Sequence, residues 1–218
     1  NFDTIDINIP SIANLQANGH ASNIDNMDMF EARLDLKGKT GDIKRFVTQK
    51  INDSTPEVTV STEGYVTYLD KTITTDLNIL GLGGNIKTKA SYDTFQNGYT
   101  ADIDINDLDI TTLLDEVPLK KITGNINAKG KGFDIFSKET GYDIALSIDT
   151  IVYDNIKLND ITFNANQANQ LSEIVFTGKD EYLKFNIKAD TELKESKISN
   201  KTAIDISEAD FMMLGLTE

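Results

Sequence analysis

The property that most constrains this chain is an apolar alternation of period two, which recurs along most of its length. From Thr72 to Ile79, residues Ile73, Thr75, Leu77 and Ile79 fall on one side and Thr74, Asp76 and Asn78 on the other, the signature of a strand with one apolar face. The same pattern holds for Ile103 and Ile105, for Ile122, Gly124, Ile126 and Ala128, for Ile144, Leu146 and Ile148, and for Leu183, Phe185, Ile187 and Ala189. Turn signals separate these runs at Glu63-Gly64, Gly81 to Asn85, Gln96-Asn97-Gly98, Gly130 to Gly132, Asn155, Asn166 to Asn169 and Gly178 to Asp180. The pattern therefore predicts a mainly β architecture with many strands and few helices.

Composition agrees. The chain has 39% hydrophobic residues, low for a soluble domain, yet it holds 26 Ile among 218 residues beside 20 Asn and 23 Thr. An excess of one β-branched residue favours strands over disorder.

Two motifs repeat. I-D-I followed by I/F and L occurs as Ile5-Asp6-Ile7 with Ile12 and Leu15, as Ile103-Asp104-Ile105 with Ile110 and Leu113, and as Ile204-Asp205-Ile206 with Phe211 and Leu214. K-G-K followed by D-I occurs at Lys37-Gly38-Lys39 with Asp42-Ile43 and at Lys129-Gly130-Lys131 with Asp134-Ile135. These repeats divide the chain into units 1–98 and 99–200 and the opening of a third, 201–218. Short helices are expected after each motif. Asn106 to Asp109 and Ser207 to Asp210 have the outline of capping boxes, Asp42 precedes Ile43, Phe46, Val47 and Ile51 at helical spacing, and Asp134 opens a shorter version closed by Gly141. Such helices would cover ends or edges of the sheet.

Charge and residue inventory exclude several functions. A formal net charge of −14 makes nucleic acid and anionic lipid surfaces poor partners. With no Cys and a single His, there is no thiol nucleophile and no Cys-based zinc site, and a histidine-based triad or metal cluster is nearly excluded. Asp102, Asp104, Asn106, Asp107 and Asp109 resemble a calcium loop only superficially, because an EF-hand needs Gly where Asp107 stands and Glu where Leu113 stands. Gly81, Gly83 and Gly84 read as a hairpin, His20 as a solvated residue in a polar turn, and Met212-Met213 as ordinary packing residues on the third-unit helix. Nothing singles out an acid/base pair among 35 acidic residues, so the chain reads as a non-enzyme without cofactor or metal. No apolar run is long enough to span a bilayer as a helix, and the start at Asn1 suggests a segment of a longer protein or a processed product.

One stretch carries a family resemblance. Ile105 to Asp109 with Leu113-Leu114, then Leu119-Lys120-Lys121-Ile122-Thr123-Gly124-Asn125-Ile126-Asn127-Ala128-Lys129-Gly130, resembles the repeating unit of the AsmA-like family, the group that includes the TamB type. Ile148 to Ile161 is similar to a further segment of that unit, followed by strands at Leu171 to Gly178 and Tyr182 to Leu193. The first unit is matched only through Leu34 to Gly38 and the repeats.

The resemblance implies an elongated, folded-over antiparallel sheet with a hydrophobic groove, reaching into the periplasm of a diderm bacterium from an inner-membrane anchor. It further implies phospholipid transport between the membranes, a part in outer-membrane biogenesis, and an outer-membrane β-barrel partner engaged through sequence outside this chain. Phospholipid acyl chains would lie on Ile73, Leu77, Ile79, Ile103, Ile105, Ile122, Ile126, Ile144, Leu146, Ile148, Ile156, Leu158, Ile161, Phe163, Ile174, Phe176, Leu183, Phe185 and Ile187. Two other readings fit a one-sided β repeat: a structural or adhesive stalk without ligand, and a carbohydrate-binding β-domain, the latter weakened by the absence of Trp.

Overall fold

The computed structural model of the chain describes residues 2–10, 13–26, 29–41, 58–109, 111, 119–153, 156–194 and 197–213. It contains thirteen strands: β1 (Phe2–Ile9), β2 (Ala13–Ser22), β3 (Glu31–Thr40), β4 (Ser61–Leu69), β5 (Thr72–Gly81), β6 (Gly84–Asp93), β7 (Gly98–Asp109), β8 (Leu119–Lys131), β9 (Gly141–Tyr153), β10 (Ile156–Ala168), β11 (Leu171–Lys179), β12 (Leu183–Lys194) and β13 (Lys197–Ala209). They form one antiparallel sheet in simple sequence order, β1 to β13, with β1 and β13 at its two ends. The sheet is folded over rather than closed into a barrel. At about 4.8 Å per strand, the twelve steps span about 58 Å, longer than the strands themselves.

The strands connect through tight turns wherever the sequence allows both central residues a positive φ. Asp70–Lys71 (48° and 62°), Leu82–Gly83 (54° and 71°) and Asn169–Gln170 (51° and 64°) are two-residue hairpin loops of this kind, whose twist matches that of the flanking strands. Gly64, expected in a turn, instead lies within β4. Its φ of 150° and its close approach to β5 require glycine, since a Cβ there would sit 2.0 Å from the Asp76 carbonyl oxygen. His20 likewise belongs to β2, opposite Arg33, and not to a turn.

The helical turns expected at Leu113 and Leu114 and at Leu214 fall outside the described residues, among which Thr111 alone is helical, in a 3-10 conformation. Asn106 to Asp109 continue β7 through a bulge at Asp107, whose φ is 51°. The extra residue returns Leu108 to the face of Ile105, where it pairs with Ile122, and a cross-strand apolar contact outweighs the local capping signal. Ser207 to Ala209 complete β13 in the same way. Asp109, Asp134 and Asp210 do cap the backbone that follows them. Asp109 Oδ1 accepts from the Thr111 amide (3.0 Å) and hydroxyl (2.6 Å), and Asp210 Oδ1 from the amides of Met212 (3.1 Å) and Met213 (3.0 Å). Asp134 Oδ1 accepts from Phe136 N (3.0 Å) in a turn that also holds Ser137 to Glu139. Phe211, Met212 and Met213 are exposed in their turn, not on a helix. The helix expected after Asp42 falls outside the described residues.

Among the described residues, the strands make their close backbone contacts with their sequence neighbours and little else. The accessible surface of 14300 Å² exceeds by nearly half the roughly 10,000 Å² of a compact monomer of this mass. Residue 98 opens β7, which pairs continuously with β6, and residues 200 and 201 lie inside β13.

Candidate functional site

Registered neighbours in a sheet share a face, so the pairings sort every paired residue onto one side or the other. One row runs through all thirteen strands: Ile5, Ala17, Leu36, Gly64, Leu77, Thr88, Ile103, Ile126, Leu146, Phe163, Phe176, Ile187 and Ile204. The row beside it is Ile7, Leu15, Gly38, Thr62, Ile79, Ile86, Ile105, Gly124, Ile148, Ile161, Gly178, Phe185 and Ile206. Neither row contains a charged residue. The first isoleucine of each I-D-I motif falls in the first row and the second in the next, so the motif sets one register at three positions across the sheet.

All nineteen residues singled out from the sequence lie on this face. Besides those in the two rows, Ile122 pairs with Ile151 and Leu158 with Ile151; Ile156 precedes Leu158 by two, and Leu183 precedes Phe185 by two. Ile144 and Ile174 both flank Ala165, and Ile73 pairs with Tyr92. The face is also where the sheet is most enclosed. Among the described residues, every buried strand residue, including Ala17, Ile161, Ala165, Gln167, Ser172 and Leu193, belongs to it. There Phe176 meets Phe163 at 6.5 Å and Phe185 at 4.9 Å, both edge to face. At the ends of the rows, Ile5, Ile7, Ile204 and Ile206 are about half exposed or more.

The opposite face is polar. Asp6, Lys37, Glu63, Lys87, Asp104 and Asp205 share one row there, and Asp76, Lys89 and Asp102 another, with opposite charges adjacent at Lys37/Glu63, Asp76/Lys89 and Lys87/Asp104. A shallow depression of about 680 Å³ on this side is lined by residues including Tyr65, Asp76, Lys89, Asp102, Lys129 and Asp143. Its ion pairs, Lys89–Asp76 (3.8 Å) and Lys129–Asp143 (3.2 Å), are solvent-exposed and contribute little to stability. Asp102 and Asp104 are thus the wet side of β7, and no group of potential metal ligands occurs among the described residues.

The sequence reading missed the margin of the apolar face. Tyr68, Ile73, Tyr92, Tyr99, Gly130, Tyr142, Gln167 and Ser172 form a row at the end of the strands where β8 turns into β9. The signal was present as Tyr99 two residues before Ala101 and Tyr142 two before Ile144, the parity of the isoleucines that follow. Tyr99 leans over Gly130, where a Cβ would lie 2.5 Å from its hydroxyl. Burial, and secondarily the neighbouring Tyr142, raise the Tyr99 phenol above the ordinary tyrosine value. The β8–β9 loop folds onto this margin. Phe133 stacks on Tyr99 at 5.2 Å and 13° and meets Tyr92 at 5.9 Å, while Gln167 Nε2 donates to the Ile135 carbonyl (2.8 Å) and Gln170 Nε2 to that of Phe136.

Comparison of the chain with protein-family models, with curated proteins and with solved structures gives no match.

Proposed function

We propose that this chain is a periplasmic segment of an AsmA/TamB-like protein and that its uncharged face is a track for phospholipid acyl chains moving between the inner and outer membranes. The observation that supports this most is the pair of charge-free rows crossing all thirteen strands. Each methylene removed from water on such a face gains about 0.8 kcal/mol. Because successive strands repeat the same environment every 4.8 Å or so, a chain can move along the rows without leaving apolar contact. The parent protein would be anchored in the inner membrane and meet an outer-membrane β-barrel through other segments.

Native mass spectrometry of the purified chain after exposure to phospholipid tests the reading. Bound lipid is expected, with sedimentation of an elongated particle. A chain that takes up no lipid over a range of acyl lengths is a structural stalk instead, the reading that shares the sheet but needs no ligand.

A further inference from the structure

We infer that the tyrosine margin, capped by Phe133, is a headgroup site that selects lipids bearing an alkylammonium group. The inference rests on the apolar face being a lipid track and adds which lipid it accepts. Three rings meet here: Tyr92 and Tyr99 on adjacent strands, with Phe133 laid over them at 5.9 Å and 5.2 Å. Phe133 is 70% exposed, so its outer π surface is open at the border between the apolar rows and water. The arrangement is built from several sides. Gly130 makes room for the Tyr99 ring, the Tyr92 hydroxyl donates to Asn97 Oδ1 at 2.8 Å, and Gly132 N–H donates to the Asn97 carbonyl at 3.0 Å, joining the β8–β9 loop to the β6–β7 turn.

Charge favours a cation over an anion at this place. The margin row and the two apolar rows carry no Lys or Arg that could hold a phosphate or carboxylate. Around the loop, Asp134 and Glu139 are balanced by Lys131 at the end of β8 and by Lys138, leaving the aromatic quadrupoles as the distinctive attraction. An ammonium over such rings is stabilised by electrostatic attraction to their faces, most strongly where the site is partly desolvated. A lipid lying on the isoleucine rows with its head toward the strand ends therefore brings a choline or ethanolamine group onto Phe133, whereas a glycerol head gains nothing there.

The test compares lysophosphatidylcholine with lysophosphatidylglycerol of the same acyl chain, by titration below their micellar concentrations. Wild-type protein is expected to bind the choline lipid roughly fivefold more tightly, the scale of one cation–π contact. Phe133→Leu should abolish that preference and leave the glycerol lipid unchanged within about twofold, since the leucine keeps the apolar contact. Phe133→Trp should retain the preference, and as the only Trp in the chain it should report it by fluorescence. Equal affinities in the wild type, or a preference that survives Phe133→Leu, overturn the headgroup site and leave the lipid track standing. Binding of neither lipid overturns both.

Discussion

Ile126→Asp separates an open apolar track from a sealed core. Ile126 sits at the middle of the first apolar row, with Ile103 and Leu146 beside it, and is only partly covered. Full burial of an isoleucine stabilises by about 1.5–3 kcal/mol, so partial cover puts its loss at roughly half that. Replacing a β-branched residue by Asp in a strand adds up to about 1 kcal/mol. The expected destabilisation is therefore about 2 kcal/mol, against a total of about 5–15 kcal/mol for a folded domain. The variant should remain folded, with a lower urea midpoint by far-UV circular dichroism, and should lose bound acyl chain by native mass spectrometry. Ala145→Asp is the control. It places the same carboxylate on the polar face, in register with Asn127 and Asn164, and should cost within about 0.5 kcal/mol and spare lipid binding. Loss of folding in Ile126→Asp, or destabilisation beyond about 4 kcal/mol, would mean a dry closed core and would refute the reasoning.

Three further outcomes follow from the geometry. Asp180 is 4% exposed and its carboxylate accepts from Asn159 N (2.8 Å), Asn159 Nδ2 (3.2 Å) and Tyr182 N (2.9 Å), so Asp180→Ala should cost about 2–4 kcal/mol in urea unfolding, with Asp180→Asn recovering part of it. Gly130→Val drives a side chain into the Tyr99 ring and should destabilise by about 1–3 kcal/mol, with Tyr99 resonances shifting most in NMR spectra. Because the Tyr99 phenol titrates higher in the folded than in the unfolded chain, its contribution is intact below pH 10 and is lost as pH rises through the folded value. Stability measured above pH 10 should therefore fall less steeply in Tyr99→Phe, and an unchanged slope would remove Tyr99 as the cause.

Strand parity was legible along the chain because a side-chain period of two is a local property: Ile103 and Ile105 face away from Asp102 and Asp104 in any sheet that contains them. The capping signals misled for the opposite reason. Asp109 and Asp210 accept from amides two or three residues ahead, and that geometry is common to a helix start and a turn, so local chemistry does not choose between them. The choice fell to Ile122, which offers Leu108 an apolar partner across the strand once the bulge at Asp107 has turned it inward.

By itself, then, the sequence determined that the chain makes one-sided strands, which residues share each strand face, and that the faces differ in charge. Only the tertiary structure decided how those faces join. The pairing registers align Ile5, Ile103 and Ile204 in one row and bring Tyr92 and Tyr99 of one hairpin together with Phe133 of the next. Alternation is dictated by the backbone of each strand, whereas register depends on turns, bulges and cross-strand contacts between residues far apart in the chain.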